Sequence, residues 1–142
     1  MKKLFEFQTR VTLYDSDAAG VLFFASQFRL VHDAYEAFLE SKNLGLSKII
    51  REASYLLPLV HASTNYKAIL VPGDPVVIKL FLKKMSKTSF TVAHEIYKRD
   101  GTLTGHGETV HVSVNKQNRE KIPLPAEIKE ILDYHPLCSV PS

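Results

Sequence analysis

At 142 residues, 45% hydrophobic and 23% charged, the chain is long enough for one domain with a buried core, and its composition is that of an ordinary soluble globular protein. A net charge of +3, evenly spread, argues against a nucleic-acid partner and is compatible with small anionic ligands. The single Cys138 excludes an internal disulfide framework, and with no base beside it in a Pro-containing tail it is a poor nucleophile. Glu6 and Gln8 interrupt the apolar run that a signal peptide would need after Met1-Lys2-Lys3. No segment approaches membrane-spanning length, so no membrane span and a cytoplasmic location are expected.

From Phe5 to Leu13 the odd positions are Phe5, Phe7, Thr9, Val11 and Leu13, and the period of two predicts a half-buried strand. Next comes Asp15-Ser16-Asp17-Ala18-Ala19-Gly20-Val21-Leu22-Phe23-Phe24, two carboxylates and a glycine-containing turn ahead of a strongly apolar helix. Phe24, Phe28, Val31, Tyr35 and Phe38 recur at spacings of four and three, widened by Leu30, Ala34 and Ala37. That helix is expected to run to about Lys42, with Gly45 as its left-handed cap. A face so wide implies burial on more than one side, as when a sheet curls around one helix.

Leu46 to Ala53 reads as a short second helix and Leu57 to Ala68 as an extended segment, with Pro58 making its start an edge or a bend. Pro72-Gly73-Asp74-Pro75 is a turn. Val76, Ile78, Leu80 and Leu82 then alternate with polar or outward positions, as do Phe90, Val92, His94 and Ile96, predicting two strands joined through Met85-Ser86-Lys87. Asp100-Gly101 signals a hairpin into a strand through Val110, Val112 and Val114, bent or bulged where Gly105 and Gly107 flank His106. After Pro123-Leu124-Pro125, a short helix carries Ile128, Ile131 and Leu132 on one face. No repeat or linker divides the chain, so residues 1–142 are expected to form a single domain. By itself this order licenses an α+β domain with a mostly antiparallel sheet.

The acidic segment suggests chemistry. A carboxylate at a helix entrance can attack or recruit water, while helix amides hold a carbonyl oxygen that gains charge, an arrangement suited to hydrolysing an activated ester. Asp17 alone is equally readable as a helix-entry cap. The segment Asp15-x-Asp17-x-Ala19-Gly20-Val21, between a strand and a long helix, resembles the active-site segment of hotdog-fold acyl-CoA thioesterases of the 4-hydroxybenzoyl-CoA thioesterase branch. The resemblance extends through Asp33 to Leu39, Leu57 to Tyr66, the Pro72-Gly73-Asp74 turn and the later strands. Leu57-Pro58-Leu59-Val60-His61-Ala62-Ser63 is also similar to the corresponding part of 1,4-dihydroxy-2-naphthoyl-CoA thioesterases.

The resemblance implies a hotdog fold, an antiparallel sheet wrapped around one long central helix, and hydrolysis of an aromatic acyl-CoA without metal or redox cofactor. It makes Asp17 the nucleophile or the base for water, and the Phe24 backbone amide the group that polarises the carbonyl. Relatives often carry His or Tyr at this position, so the Phe24 side chain removes any polar help there. Gly20 and Val21 would pass close to the substrate, Gly20 having no side chain to obstruct it. His61 borders the acyl pocket in relatives and reads equally as part of a hydrogen-bonded strand face or subunit contact, which is the reading kept for Ser63. Lys84 and Lys87, in the basic cluster with Lys83, would meet coenzyme A phosphates, the alternative being a solvated hairpin end. A homo-oligomer, dimer or tetramer, is expected because a curled sheet leaves an exposed edge.

Other chemistries lack their motifs: there is no Gly-x-Ser-x-Gly elbow, phosphate loop or His-Glu-x-x-His site. His32 and Glu36 share a helical face but read as a surface pair rather than metal ligands. Glu36 and Asp33 rank behind Asp17 as catalytic carboxylates. A broad-specificity short-chain or fatty acyl-CoA thioesterase, and a non-catalytic acyl-CoA or acyl-carrier-protein binding module, are the competing expectations.

Overall fold

A computed structural model of the chain describes residues 1–16, 20 and 24–133. A five-stranded antiparallel sheet in the order β1-β4-β5-β6-β3 is built from β1 (Lys2–Arg10), β3 (Leu59–Tyr66), β4 (Pro75–Met85), β5 (Ser89–Lys98) and β6 (Leu103–Val112). Helix α1 (Phe24–Ser41) packs on one face of it. Helix α2 (Leu46–Glu52), a small sheet of β2 (Tyr55–Leu56) with β7 (Val114–Asn115), and helix α3 (Ala126–Asp133) complete the fold. This is the expected α+β arrangement of one long helix packed against an antiparallel sheet.

Of the predicted apolar stripe, Leu30, Val31, Ala34, Tyr35 and Phe38 are buried and Phe28 and Ala37 half-buried. Leu30, Val31, Ala34, Tyr35, Phe38 and Leu39 of α1 meet the inward positions of the sheet, among them Ile78, Leu80, Phe90, Val92 and Ile96, in one core cluster. The alternation predicted for β4 appears as buried Val76, Ile78 and Leu80 between half-buried neighbours, the two-residue period placing one face on the helix. In α3, Ile128 and Leu132 are buried, four residues apart on the face turned to the core.

Several boundaries differ from expectation. β1 ends at Arg10, and Leu13–Asp15 forms a 3-10 turn, because the Asp15 carboxylate takes the Thr12 amide and closes the chain on itself. Gly45 is not the left-handed cap of α1. That conformation belongs to Asn43, at φ 61°, while the Leu44 amide reaches back to the Leu39 carbonyl at 2.9 Å and Gly45, at φ −52°, caps the start of α2. The extended segment expected over Leu57 to Ala68 appears as β3, which starts at Leu59 just after Pro58, while the short β2 precedes the expected segment. The expected last strand ends at Val112, Val114 belonging to β7. A register shift does occur on this hairpin, between Ile96 and Tyr97 opposite Gly105 and Leu103.

β3 lies at the sheet edge, and Thr64 is its one buried residue. Among the described residues no helix is long and apolar enough to cross a membrane.

Candidate functional site

The approach to α1 is pinned at its base. Val11, fully buried, donates its amide to the Asp74 carbonyl at 2.9 Å and accepts from the Gly73 amide at 2.7 Å, so the Pro72-Gly73-Asp74 turn holds the end of β1. Asp15 is fully buried four residues on. One of its oxygens accepts from the Thr12 amide and hydroxyl at 2.9 Å each, and Arg29 donates from Nε and Nη2 to both oxygens at 2.6 Å. Arg29 also reaches Asp33, one turn further along α1, at 2.6 Å. Burial pushes the Asp15 carboxyl up, but the Arg29 and Thr12 hydrogen bonds and the Arg29 charge outweigh it and hold the group below the ordinary carboxylate value. The first carboxylate of the motif is thus fully engaged in fixing the loop to α1.

Asp17 and Val21 lie outside the described residues. Gly20 is exposed and sits at φ +79°, with open space where a Cβ would be, so its backbone conformation, beyond any approach of substrate, favours glycine there. Phe24 opens α1, and the amides of a helix's first turn have no partner within the helix.

The same helical turn is tied to the edge strand. Gln27, fully buried, donates from its side-chain amide to Thr64 Oγ1 at 2.5 Å and to the Asn65 carbonyl at 3.2 Å. Thr64 Oγ1 is 2.9 Å from Nε2 of His94 and 3.4 Å from the His106 carbonyl. Burial first, and then the charges of His106 and His32, push His94 down to about 4, so its ring is neutral at physiological pH. Gly105 and Gly107 make room for this group. A Cβ on Gly105 would stand 2.7 Å from Gln27 Nε2, and one on Gly107 2.0 Å from the Ser63 carbonyl oxygen and 2.9 Å from His94 Cε1.

His61 and the lysines lie across the sheet from α1. The register aligns Lys84, Thr91, Val110 and His61 in one row, facing away from the helix. His61 and Lys84 are exposed; Lys83 is engaged by Glu108 at 2.7 Å. Lys87 lies in the exposed turn between β4 and β5, its backbone carbonyl accepting from the Leu124 amide at 2.8 Å. Ser63, opposite Glu108, shares the outward face with His61 as expected. The described residues therefore fall in two groups, the helix entrance on one side of the β3 edge and His61 with Lys84 on the other. A separate cleft of about 550 Å³, lined by Gln8, Thr9, Arg10, Pro75, Val76, Val77 and Arg99, contains none of the predicted site residues. Among the described residues no cluster of three or more potential metal ligands is present.

The sequence reading missed Arg29, Gln27, Thr64 and His94 as parts of this region. The spacing of Arg29 and Asp33 by four was a legible signal, as was His94 at an inward strand position opposite a Gly-x-Gly. The link from Arg29 to Asp15 and that from Gln27 to Thr64 span 14 and 37 residues and had no local signal.

The profile of the thioesterase-like superfamily matches residues 11–132. A 1,4-dihydroxy-2-naphthoyl-CoA hydrolase from Rippkaea orientalis is 31% identical over 129 residues, covering 89% of this chain and 94% of its own. One from Synechocystis is 35% identical over 122 residues, covering 85% and 88%. The crystal structure of a 1,4-dihydroxy-2-naphthoyl-CoA thioesterase from Synechocystis superposes with a TM-score of 0.85 at 33% identity, over 90% of this chain and 94% of that one. With a long helix on a five-stranded antiparallel sheet, Asp15 clamped to that helix, and this likeness along nearly its whole length, the chain belongs to the thioesterase-like superfamily and is a hotdog-fold thioesterase.

Proposed function

We propose that this chain, as a single hotdog domain, hydrolyses an aromatic acyl-CoA of the 1,4-dihydroxy-2-naphthoyl type to the free acid and coenzyme A. The observation that carries the reading is the likeness to hydrolases of that substrate over 85–89% of the chain. The site geometry supports it. Arg29 and Thr12 occupy the Asp15 carboxylate, so the reading gives the chemical role to the second acid of the motif, Asp17. As nucleophile, Asp17 adds to the thioester carbon; the C–S bond breaks, the thiolate leaves and takes up a proton, and water opens the mixed anhydride, returning the carboxylate. As general base, Asp17 takes a proton from water, whose oxygen adds directly to the thioester carbon; the C–S bond then breaks, the thiolate leaves and takes up a proton, and the carboxylate is restored. In both routes the Phe24 amide, at the start of α1, stabilises the negative carbonyl oxygen.

A coenzyme A ester lying across the β3 edge would present its phosphates to Lys84 and Lys87 and its acyl group to the helix entrance, with Gly20 and Val21 flanking it and His61 beside the edge. Such an edge calls for a partner. Among the described residues no strand pairs with the outer side of β3, which is exposed at every position but Thr64 and carries the exposed apolar residues Leu59 and Val60. A second copy of the chain, paired there, would cover it and make the protein at least a homodimer.

Thiol release from naphthoyl, benzoyl and aliphatic CoA esters in parallel tests the activity and its acyl preference. Asp17→Asn is expected to lower turnover by about 100-fold or more while leaving the melting temperature unchanged. Near-normal turnover by that variant removes Asp17 from the mechanism. Tight binding of acyl-CoA with no thiol release from the wild type would make the chain a binding module instead.

A further inference from the structure

Gln27, Thr64 and His94 form a buried polar chain inside an otherwise apolar interface between α1 and the sheet, and buried polar groups are retained there only when their hydrogen bonds are met. The donors can all be assigned. Gln27 Nε2 has two hydrogens and two acceptors, Thr64 Oγ1 and the Asn65 carbonyl. If neutral His94 carries its proton on Nε2 and donates to Thr64 Oγ1, the Thr64 hydroxyl is left to donate to the His106 carbonyl. Among the side chains of Gln27, Thr64 and His94, only two acceptors, Gln27 Oε1 and His94 Nδ1, then remain unmatched, and no donor does. The opposite tautomer would bury an unpaired Nδ1–H. The network is thus directional: Gln27, in the first turn of α1, and His94 both donate to Thr64, whose hydroxyl donates on to the His106 carbonyl.

We infer that Gln27 is a positioning residue, held by Thr64 and His94, that fixes the opening turn of α1 against strand β3 and so sets where the Phe24 amide stands relative to the substrate. This rests on the thioesterase reading above. Three observations carry it: the side chain is fully buried although polar, it bonds both the side chain and the backbone of the edge strand 37 and 38 residues away, and β6 gives up two side chains, at Gly105 and Gly107, where they would strike Gln27, His94 or β3. Packing alone would be served by a leucine at position 27. An amide ties the helix start to one register of the edge strand, and amides that stabilise charge only in the transition state are sensitive to small misplacements.

The test compares wild type, Gln27→Leu, Thr64→Val and Thr64→Ser, each as the full chain, by steady-state thiol release from an aromatic acyl-CoA together with thermal melting and amide hydrogen exchange of residues 24–28. Gln27→Leu and Thr64→Val are expected to lower kcat by about 10-fold or more with KM changed less than about 3-fold, and to speed exchange in the first turn of α1. Thr64→Ser, which keeps the hydroxyl, is expected to recover most of kcat. A competent wild type with Gln27→Leu turning over within twofold of it overturns this inference alone, as does a kcat loss that Thr64→Ser fails to rescue. A wild type releasing no thiol from any acyl-CoA overturns the thioesterase reading and this inference with it.

Discussion

Arg29 holds both oxygens of the Asp15 carboxylate, Nε and Nη2 each at 2.6 Å, and so fastens the loop that precedes α1 to the helix that follows it. A planar fork meeting a carboxylate fixes orientation as well as distance, which a lysine at position 29 would not do. Because Asp15 is fully buried and also takes the Thr12 amide and hydroxyl, its removal orphans several donors together. Asp15→Ala is expected to cost roughly 2–4 kcal/mol in urea unfolding, below the upper range for buried pairs because Arg29 remains partly exposed. Arg29→Lys is expected to retain part of the stability and to lose turnover, since the loop it orients carries Asp17. A stability change within about 0.5 kcal/mol for Asp15→Ala, the range of ordinary surface substitutions, would contradict the clamp.

The glycines of the hairpins should separate by mechanism. Gly107→Ala puts a Cβ 2.0 Å from a backbone oxygen of β3, and backbone cannot move aside without breaking the sheet. Loss of roughly 3 kcal/mol or more, or failure to fold, is expected. Gly101→Ala, at φ +93° with open space around it, meets only the left-handed backbone penalty of about 1 kcal/mol. Equal melting temperatures for the two variants would refute the steric account.

Two buried histidines give the fold an acid limit. His111 is stacked between Tyr35, at 4.4 Å, and Phe90, at 5.1 Å, with Nε2 3.0 Å from Thr109 Oγ1. Burial, helped by the His32 charge and opposed by a backbone hydrogen bond at Leu57, pushes it down to about 4, the value His94 also takes. Both folded values lie below the ordinary 6.5, so the unfolded chain binds protons first. Stability is therefore full above pH of about 6.5 and falls progressively toward pH 4, by up to about 3 kcal/mol per histidine. Urea midpoints measured between pH 7.5 and 5 are expected to drop, and His111→Gln is expected to make the slope shallower. A flat profile over that interval would show that these rings are not held neutral.

The β3 edge predicts an assembly. Light scattering is expected to return at least twice the 16.0 kDa of one chain, and Ala62→Pro, which places a ring on the strand's edge, is expected to shift the mass toward the monomer. A wild-type mass of one chain at all concentrations would leave the edge uncovered and the pairing wrong.

Local patterning determined much of this protein. The stripe from Val31 to Phe38 and the alternation from Val76 to Leu80 place the helix and the sheet faces because side-chain periods of 3.6 and 2 follow directly from backbone geometry. The acidic segment ahead of Phe24 suggested ester hydrolysis, but its residue types alone read equally as a helix-entry cap, and only the resemblance to thioesterases separated the two. Caps were less legible: Asn43 rather than Gly45 turns left-handed because Leu44 must fold back into the core, a requirement of packing that neither residue reveals by itself. Which partner each polar group finds was decided only by the tertiary structure. Arg29 reaches Asp15, Gln27 reaches Thr64 and His94, and His61 turns away from the helix because strand register and the seat of α1 bring together residues far apart in the chain, and hydrogen bonds depend on that final geometry rather than on sequence spacing.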